Sequence, residues 1–99
     1  KRFEYYSLSA EQGNMVAMNN LANCYAVGAG TDKNETKAFE WNEKSANLGN
    51  CNATNNVGFY YHNGIGVTKN VNKAREWYAK SAAQGYTLAQ TELDKLNAQ

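Results

Sequence analysis

The sequence predicts an all-α fold, an α-α superhelix (solenoid) of six helices stacked as antiparallel hairpins, and three observations carry that prediction. Displacing the chain by 36 residues aligns residues 14–49 with 50–85 and makes 17 of the 36 pairs identical. This composition gives about three such matches by chance. Apolar residues inside each repeat recur every four positions, the spacing of one helical face. Glycine pairs, Gly28-x-Gly30 and Gly64-x-Gly66, interrupt that spacing at the same point of each copy. The 99 residues include no proline, so nothing else breaks the helices.

The first element, near 2–12, is the second helix of a partial repeat (1–13). Its Phe3, Glu4, Tyr5, Ser9, Ala10 and Gly13 fall on Phe39, Glu40, Trp41, Ser45, Ala46 and Gly49. A full repeat (14–49) follows. Its first helix, near 14–27, carries the stripe Ala17, Leu21 and Tyr25, with Ala22 beside it, small enough for a neighbouring helix to approach. Gly28 ends it, because glycine tolerates the left-handed C-cap conformation. The second helix, near 34–48, is expected to start at Asn34, whose side chain suits an N-cap, with Asp32 and Glu35 spaced for a capping box. Ala38, Phe39 or Trp41, Ser45 and Ala46 form its buried stripe, and Gly49 closes it.

The second full repeat (50–85) repeats this plan. A helix near 50–63 bears Ala53, Gly58 and Tyr61, and a helix near 70–84 runs from Asn70 to Gly85 with Ala74, Trp77, Ser81 and Ala82. The segment 86–99 is a partial repeat or capping helix, near 87–97. There Ala89 and Leu93 continue the stripe, and Gln90, Glu92, Asp94 and Lys95 supply a polar face. Trp41, Trp77, Tyr25, Tyr61, Tyr5 and Phe3 recur in register, which predicts packing between hairpins. A buried Trp77 replaced by Ala costs about 3–5 kcal/mol.

Composition excludes several functions. Ten Lys+Arg against nine Asp+Glu leave a net charge of +1, without the clustered cations of a nucleic-acid or anionic-membrane surface. No apolar run approaches the ~20 residues of a membrane span. Leu, Ile, Val and Phe make up only 15 residues, yet 14 Ala, 7 Tyr and 2 Trp supply packing material for an ordered chain. Cys24 and Cys51 are too few for a disulfide framework and wrongly spaced for a metal, and free thiols weigh slightly toward the cytoplasm. The opening Lys1-Arg2-Phe3-Glu4 reads as a piece excised from a longer chain. The Gly-x-Gly pairs lack the third glycine of a nucleotide loop, since Lys33 and Lys69 occupy its place. His62 has no carboxylate or cysteine at a motif spacing, and nothing places a base beside Cys24. No catalytic constellation, metal site or cofactor is expected, and the chain reads as a non-enzyme.

The segments Gly58-Phe59-Tyr60-Tyr61-His62-Asn63-Gly64-Ile65-Gly66-Val67-Thr68-Lys69-Asn70 and Lys73-Ala74-Arg75-Glu76-Trp77-Tyr78-Ala79-Lys80-Ser81-Ala82-Ala83-Gln84-Gly85 resemble the Sel-1-like repeat, a relative of the tetratricopeptide repeat. The resemblance covers essentially the whole chain. It departs from the family pattern at Ala22, Thr31, Asn34 and Asn70, where Gly, Val, Asp and Asp are usual. It implies a right-handed superhelix and a protein–protein interaction scaffold or adaptor. The disulfide-rich branch is not matched, since Ala46 and Thr54 stand where its cysteines lie.

Fifteen residues are Asn, and a helical wheel sets several opposite the buried stripe of each first helix: Asn19, Asn20 and Asn23, then Asn52, Asn55, Asn56, Phe59 and Asn63. The resemblance implies that these helices line a concave groove. An amide both donates and accepts, so Asn19, Asn20, Asn23, Asn55, Asn56 and Asn63 suit the main chain of an extended protein or peptide partner, with Phe59 as apolar anchor. The alternatives are a merely solvated Asn-rich face, and a structural spacer or capping segment with no binding surface. Because about three repeats are usually needed for stability, end-to-end stacking into a homo-oligomer is a further expectation.

Overall fold

Four asparagines start four of the helices. Asn14, Asn34, Asn50 and Asn70 each turn a side-chain oxygen onto the N–H groups of the first turn, at 3.0 Å, and so satisfy amides that a helix leaves unpaired. The computed structural model describes residues 2–98 as α1 (Arg2–Glu11), α2 (Met15–Val27), α3 (Glu35–Asn47), α4 (Cys51–Asn63), α5 (Val71–Ala83) and α6 (Thr87–Asn97). Each end lies within one residue of its expected place; Asn34 and Asn70 are the caps expected, and Asn14 and Asn50 cap the other two helices in the same way. The Asp32–Glu35 capping box does not form. Asn34 caps α3 by accepting from Lys37 N–H, and Glu35 is the first helical residue, 3.8 Å from Lys33 Nζ.

Gly28 and Gly64 end α2 and α4 in the left-handed conformation, with φ of 75° and 68°. Gly66 is needed for a second reason: a Cβ there would strike the Glu35 carbonyl, where the α4–α5 turn lies on the start of α3.

The helices stack in chain order into a body of 42 × 24 × 16 Å, with α2/α3 and α4/α5 the most closely packed pairs. The first helices of the repeats (α2, α4, α6) form one layer and the second helices (α1, α3, α5) the other. Ala10, Ala17, Met18 and Leu21 form the core at the α1 end. Ala38, Phe39, Val57, Tyr61, Tyr78 and Leu96 belong to a second cluster running to α6. The alanines let the helices approach closely, and the aromatics fill the gaps.

The repeat holds at atomic detail. Ser45 Oγ donates to the Met15 carbonyl, and Ser81 Oγ to the Cys51 carbonyl at 2.7 Å, which ties each second helix to the start of its first. That is why both copies keep the serine. Trp41 and Trp77 pack against the two core clusters as expected but are half-buried, and Tyr5, in register with them, is exposed. The next residue, Asn42 or Tyr78, is the one wholly enclosed.

Candidate functional site

Charge is distributed unequally between the two layers. The 13-residue helices α2 and α4 contain no Asp, Glu, Lys or Arg, whereas α3 and α5 together carry nine. Exposed large apolar side chains follow the opposite pattern. Met15, Val16, Val27, Phe59 and Leu88 stand exposed on α2, α4 and α6, none stands within α3 or α5, and Tyr5 and Leu8 on α1 and Leu48 at the end of α3 are exposed as well. The surface of α2 and α4 is neutral, amide-bearing and partly apolar, that of α3 and α5 is charged, and α6, in the layer of α2 and α4, carries Glu92, Asp94 and Lys95. This signal was present in the sequence once the two helices of each full repeat are compared.

The residues expected on the face of α2 and α4 divide into three groups, with Asn55 apart from them. Asn19 is buried, and its Nδ2 donates to Asn42 Oδ1 at 3.0 Å. Asn56 is half-buried, with Nδ2 3.4 Å from the same Asn42 oxygen and 3.3 Å from Asn52 Oδ1. Asn52 Nδ2 in turn donates to the Tyr86 hydroxyl at 2.8 Å. One chain of side-chain hydrogen bonds thus runs from α2 through α3 and α4 to the cap of α6. Such a network stabilises only when its members are satisfied, because a low-dielectric interior penalises an unpaired amide. Asn42, wholly buried on α3, is its hub through Oδ1, although its own buried Nδ2 has no hydrogen-bond partner, and sequence reasoning missed it. The available signal was a polar residue four places beyond Ala38 on the buried stripe.

Asn20 and Asn23 form the second group and line a groove of about 520 Å³ between α1 and α2. Phe59 and Asn63 form the third, on the open surface of α4. Phe59 is 46% exposed, and Asn63 Nδ2 donates back to the Phe59 carbonyl at 3.0 Å. Asn55 lies half-buried, and its buried Oδ1 has no hydrogen-bond partner. Its counterpart in the previous repeat, Asn19, is paired with Asn42. Asn42 is replaced here by Tyr78, whose buried hydroxyl is also unpartnered.

Burial and the Glu92 carboxylate push the Tyr78 phenol up to about 12. Burial raises Tyr60 as well, with a contribution from Glu35, against which the Asn42 amide acts in the lowering direction. Both rings are therefore neutral packing groups at ordinary pH. His62 is half-buried, Cys24 buried and Cys51 half-buried, the two thiols free. Among the described residues no group of three or more His, Cys, Asp or Glu is placed to hold a metal ion, and no described helix is long and apolar enough to cross a membrane.

The Sel1 repeat profile matches residues 3–14, 16–50 and 51–86. No curated protein matches the chain. Among solved structures, a Sel1 repeat protein from Oxalobacter formigenes superposes with a TM-score of 0.90 at 40% identity, over 93% of this chain and 69% of that one. A protective antigen present in uropathogenic Escherichia coli strains, displaying an SLR fold, gives 0.88 at 36% identity. That match covers 92% of this chain and only 20% of the antigen. Helicobacter pylori cysteine rich protein B gives 0.88 at 25% identity, over 92% of this chain and 68% of that one.

Proposed function

The chain belongs to the Sel1 repeat family, whose repeats generally mediate protein interactions, and on that premise we propose that it binds an extended, largely uncharged peptide segment across α2 and α4. Asn23, Asn55, Phe59 and Asn63 present the surface, with Asn20 at its α1 end. Asn19 and Asn56 support it from beneath through Asn42.

The observation that carries this reading is the exclusion of charge from α2 and α4, together with the exposed apolar side chains they bear. A face meant only for solvent gains from charged residues, as on α3 and α5. A face meant for a neutral strand gains from amides and an aromatic anchor, which order a main chain without desolvating ions. The Phe59 ring adds hydrophobic area at its centre.

Selection of a random peptide library on the immobilised chain tests the reading. Enriched sequences are expected to be poor in charge, and Phe59→Ala with Asn23→Ala is expected to weaken them at least about tenfold. Enriched peptides that bind that double variant with unchanged affinity, or that map to α3 and α5, overturn it.

One observation favours part of the structural alternative. On α6, Gln90 and Asp94 take the places of Thr54 and Gly58, the α4 residues that lie against α5, and they bond each other at 2.9 Å. That polar pair supports a capping role for α6. A chain that only capped an array would enrich no peptide at all.

A further inference from the structure

Of the fifteen asparagines in the chain, one is followed by glycine: Asn63. The fold dictates the glycine and not the asparagine. Gly64 ends α4 at φ 68°, a conformation that a Cβ strains, and Gly28 does the same for α2. The residue before the glycine varies between repeats, Val27 in one and Asn63 in the other, and both are exposed.

An Asn–Gly pair carries its own chemistry. The main-chain nitrogen of the glycine is a nucleophile, and the side-chain carbonyl carbon of the asparagine is an electrophile within its reach. Glycine has no side chain to obstruct the attack, whereas the other fourteen asparagines precede residues that bear a Cβ. Inside a helix the ring does not close, because the helical ψ turns the next nitrogen away from the side-chain carbon. Little holds that conformation at Asn63, the last residue of α4. Its Nδ2 donates to the Phe59 carbonyl at 3.0 Å, and Gly64 N–H donates to the Tyr60 carbonyl. Both bonds lie at an exposed helix end, where local opening costs least. When Gly64 N–H lets go, the Tyr60 carbonyl still accepts from Ile65 N–H at 3.0 Å, so the turn stays anchored.

We propose that Asn63–Gly64 is a spontaneous modification site that replaces the amide at the end of α4 with a carboxylate and so weakens the hold of the uncharged face on its peptide. The Gly64 nitrogen bonds to Asn63 Cγ, the Cγ–Nδ2 bond breaks, and ammonia leaves with the Gly64 amide proton. Water then opens the succinimide at one of the two carbon–nitrogen bonds of Gly64 N, its hydroxyl going to carbon and its hydrogen to nitrogen. Cleavage at Cγ leaves aspartate. Cleavage at the main-chain carbon leaves isoaspartate, which lengthens the main chain by one carbon at the C-cap. Water is the sole co-reactant. Either product charges a helix that has no Asp, Glu, Lys or Arg, at the end where the helix dipole opposes a negative group. The modification stands by itself, and its effect on binding rests on the reading of α2 and α4 as a peptide face.

The whole chain is held in mildly alkaline buffer and digested at intervals, and mass spectrometry follows every asparagine with fragmentation that separates aspartate from isoaspartate. Asn63 is expected to convert first, with isoaspartate among its products. Its rate is expected to be about tenfold below that of a free peptide of residues 59–68, since the last turn must open. Asn63→Gln keeps an amide but closes the ring far more slowly, and is expected to stay unmodified. Asn63→Asp copies one product and is expected to weaken the library-selected peptides about tenfold, against about twofold at most for Asn63→Gln. An Asn63 that keeps its amide while the free peptide converts overturns the proposal, as does conversion spread evenly over the fifteen asparagines. Unchanged affinity of Asn63→Asp overturns the effect on the face. The mass readout uses no peptide ligand, so its failure is distinct from failure of the peptide reading.

Discussion

The Lys80 ammonium sits 4.4 Å from the centre of the Trp77 ring, and Lys44 repeats the relation with Trp41 at 4.6 Å. A ring that offers a face to a solvated cation is not the centre of a core. The recurring tryptophans are therefore lids on the α3 and α5 stripes, and the enclosed position is the one after them. Trp77→Ala is expected to lower stability by about 1–2 kcal/mol, the part-burial plus the cation–π contact. Tyr78→Ala is expected to cost about 3–5 kcal/mol. Urea denaturation of the two variants checks the order, and a reversal would place the core wrongly.

Gly58 and Tyr78 form a volume pair, matched by Ala22 and Asn42 in the other repeat. Alanine at 58 gains roughly 1 kcal/mol of helix propensity, yet it must push the Tyr78 ring aside at about 1–3 kcal/mol. A net loss of about 1 kcal/mol is expected for Gly58→Ala. Adding Tyr78→Asn, which imitates Ala22 over Asn42, removes the clash. The double-mutant cycle is expected to show a coupling of at least about 1 kcal/mol, and a coupling near zero would mean that the helices simply move apart.

Asn42 Oδ1 takes donors from two helices, so its loss strands Asn19 inside the stack. Asn42→Ala is expected to cost about 2 kcal/mol, since it leaves the buried Asn19 donor unpaired and a small void beside it, partly offset by removal of the unpartnered Asn42 Nδ2. Asn19→Ala is expected to cost only about 1 kcal/mol, because Asn56 still faces the Asn42 oxygen. Equal losses in chemical denaturation would dissolve the hub.

The helices and turns were legible because caps and glycines are local chemistry: Asn14, Asn34, Asn50 and Asn70 act within their own first turn, and Gly28 and Gly64 within their own last. The amide network was not legible, and the reason is geometric. A wheel drawn on one stripe, Ala17, Leu21 and Tyr25, assigns Asn19 to the wet side. An inner helix of a stack touches neighbours on more than one side, so its buried arc is wider and takes in Met18, Asn19 and Ala22. The tryptophans misled for a related reason. Recurrence at period 36 reports an equal environment in each copy, and an equal environment can be half-exposed.

Tyr78 presents a hydroxyl that is buried without a hydrogen-bond partner, on a ring that otherwise fills the α4–α5 interface. Burial and Glu92 hold its pKa near 12 in the folded chain, against roughly 10 when unfolded. The sign follows from proton binding. Between pH 10 and 12 the folded state keeps a proton that the unfolded state has released, so stability is full below pH 10 and declines as pH rises through that window. Tyr78→Phe removes both the ionisation and the unpaired oxygen. The variant is expected to match or exceed the native chain below pH 10, by up to about 1 kcal/mol. Its melting temperature is expected to fall less steeply from pH 10 to 12, the remaining decline coming from the other tyrosines. Parallel pH profiles, or a variant several degrees less stable at neutral pH, would mean that the hydroxyl has a partner in solution.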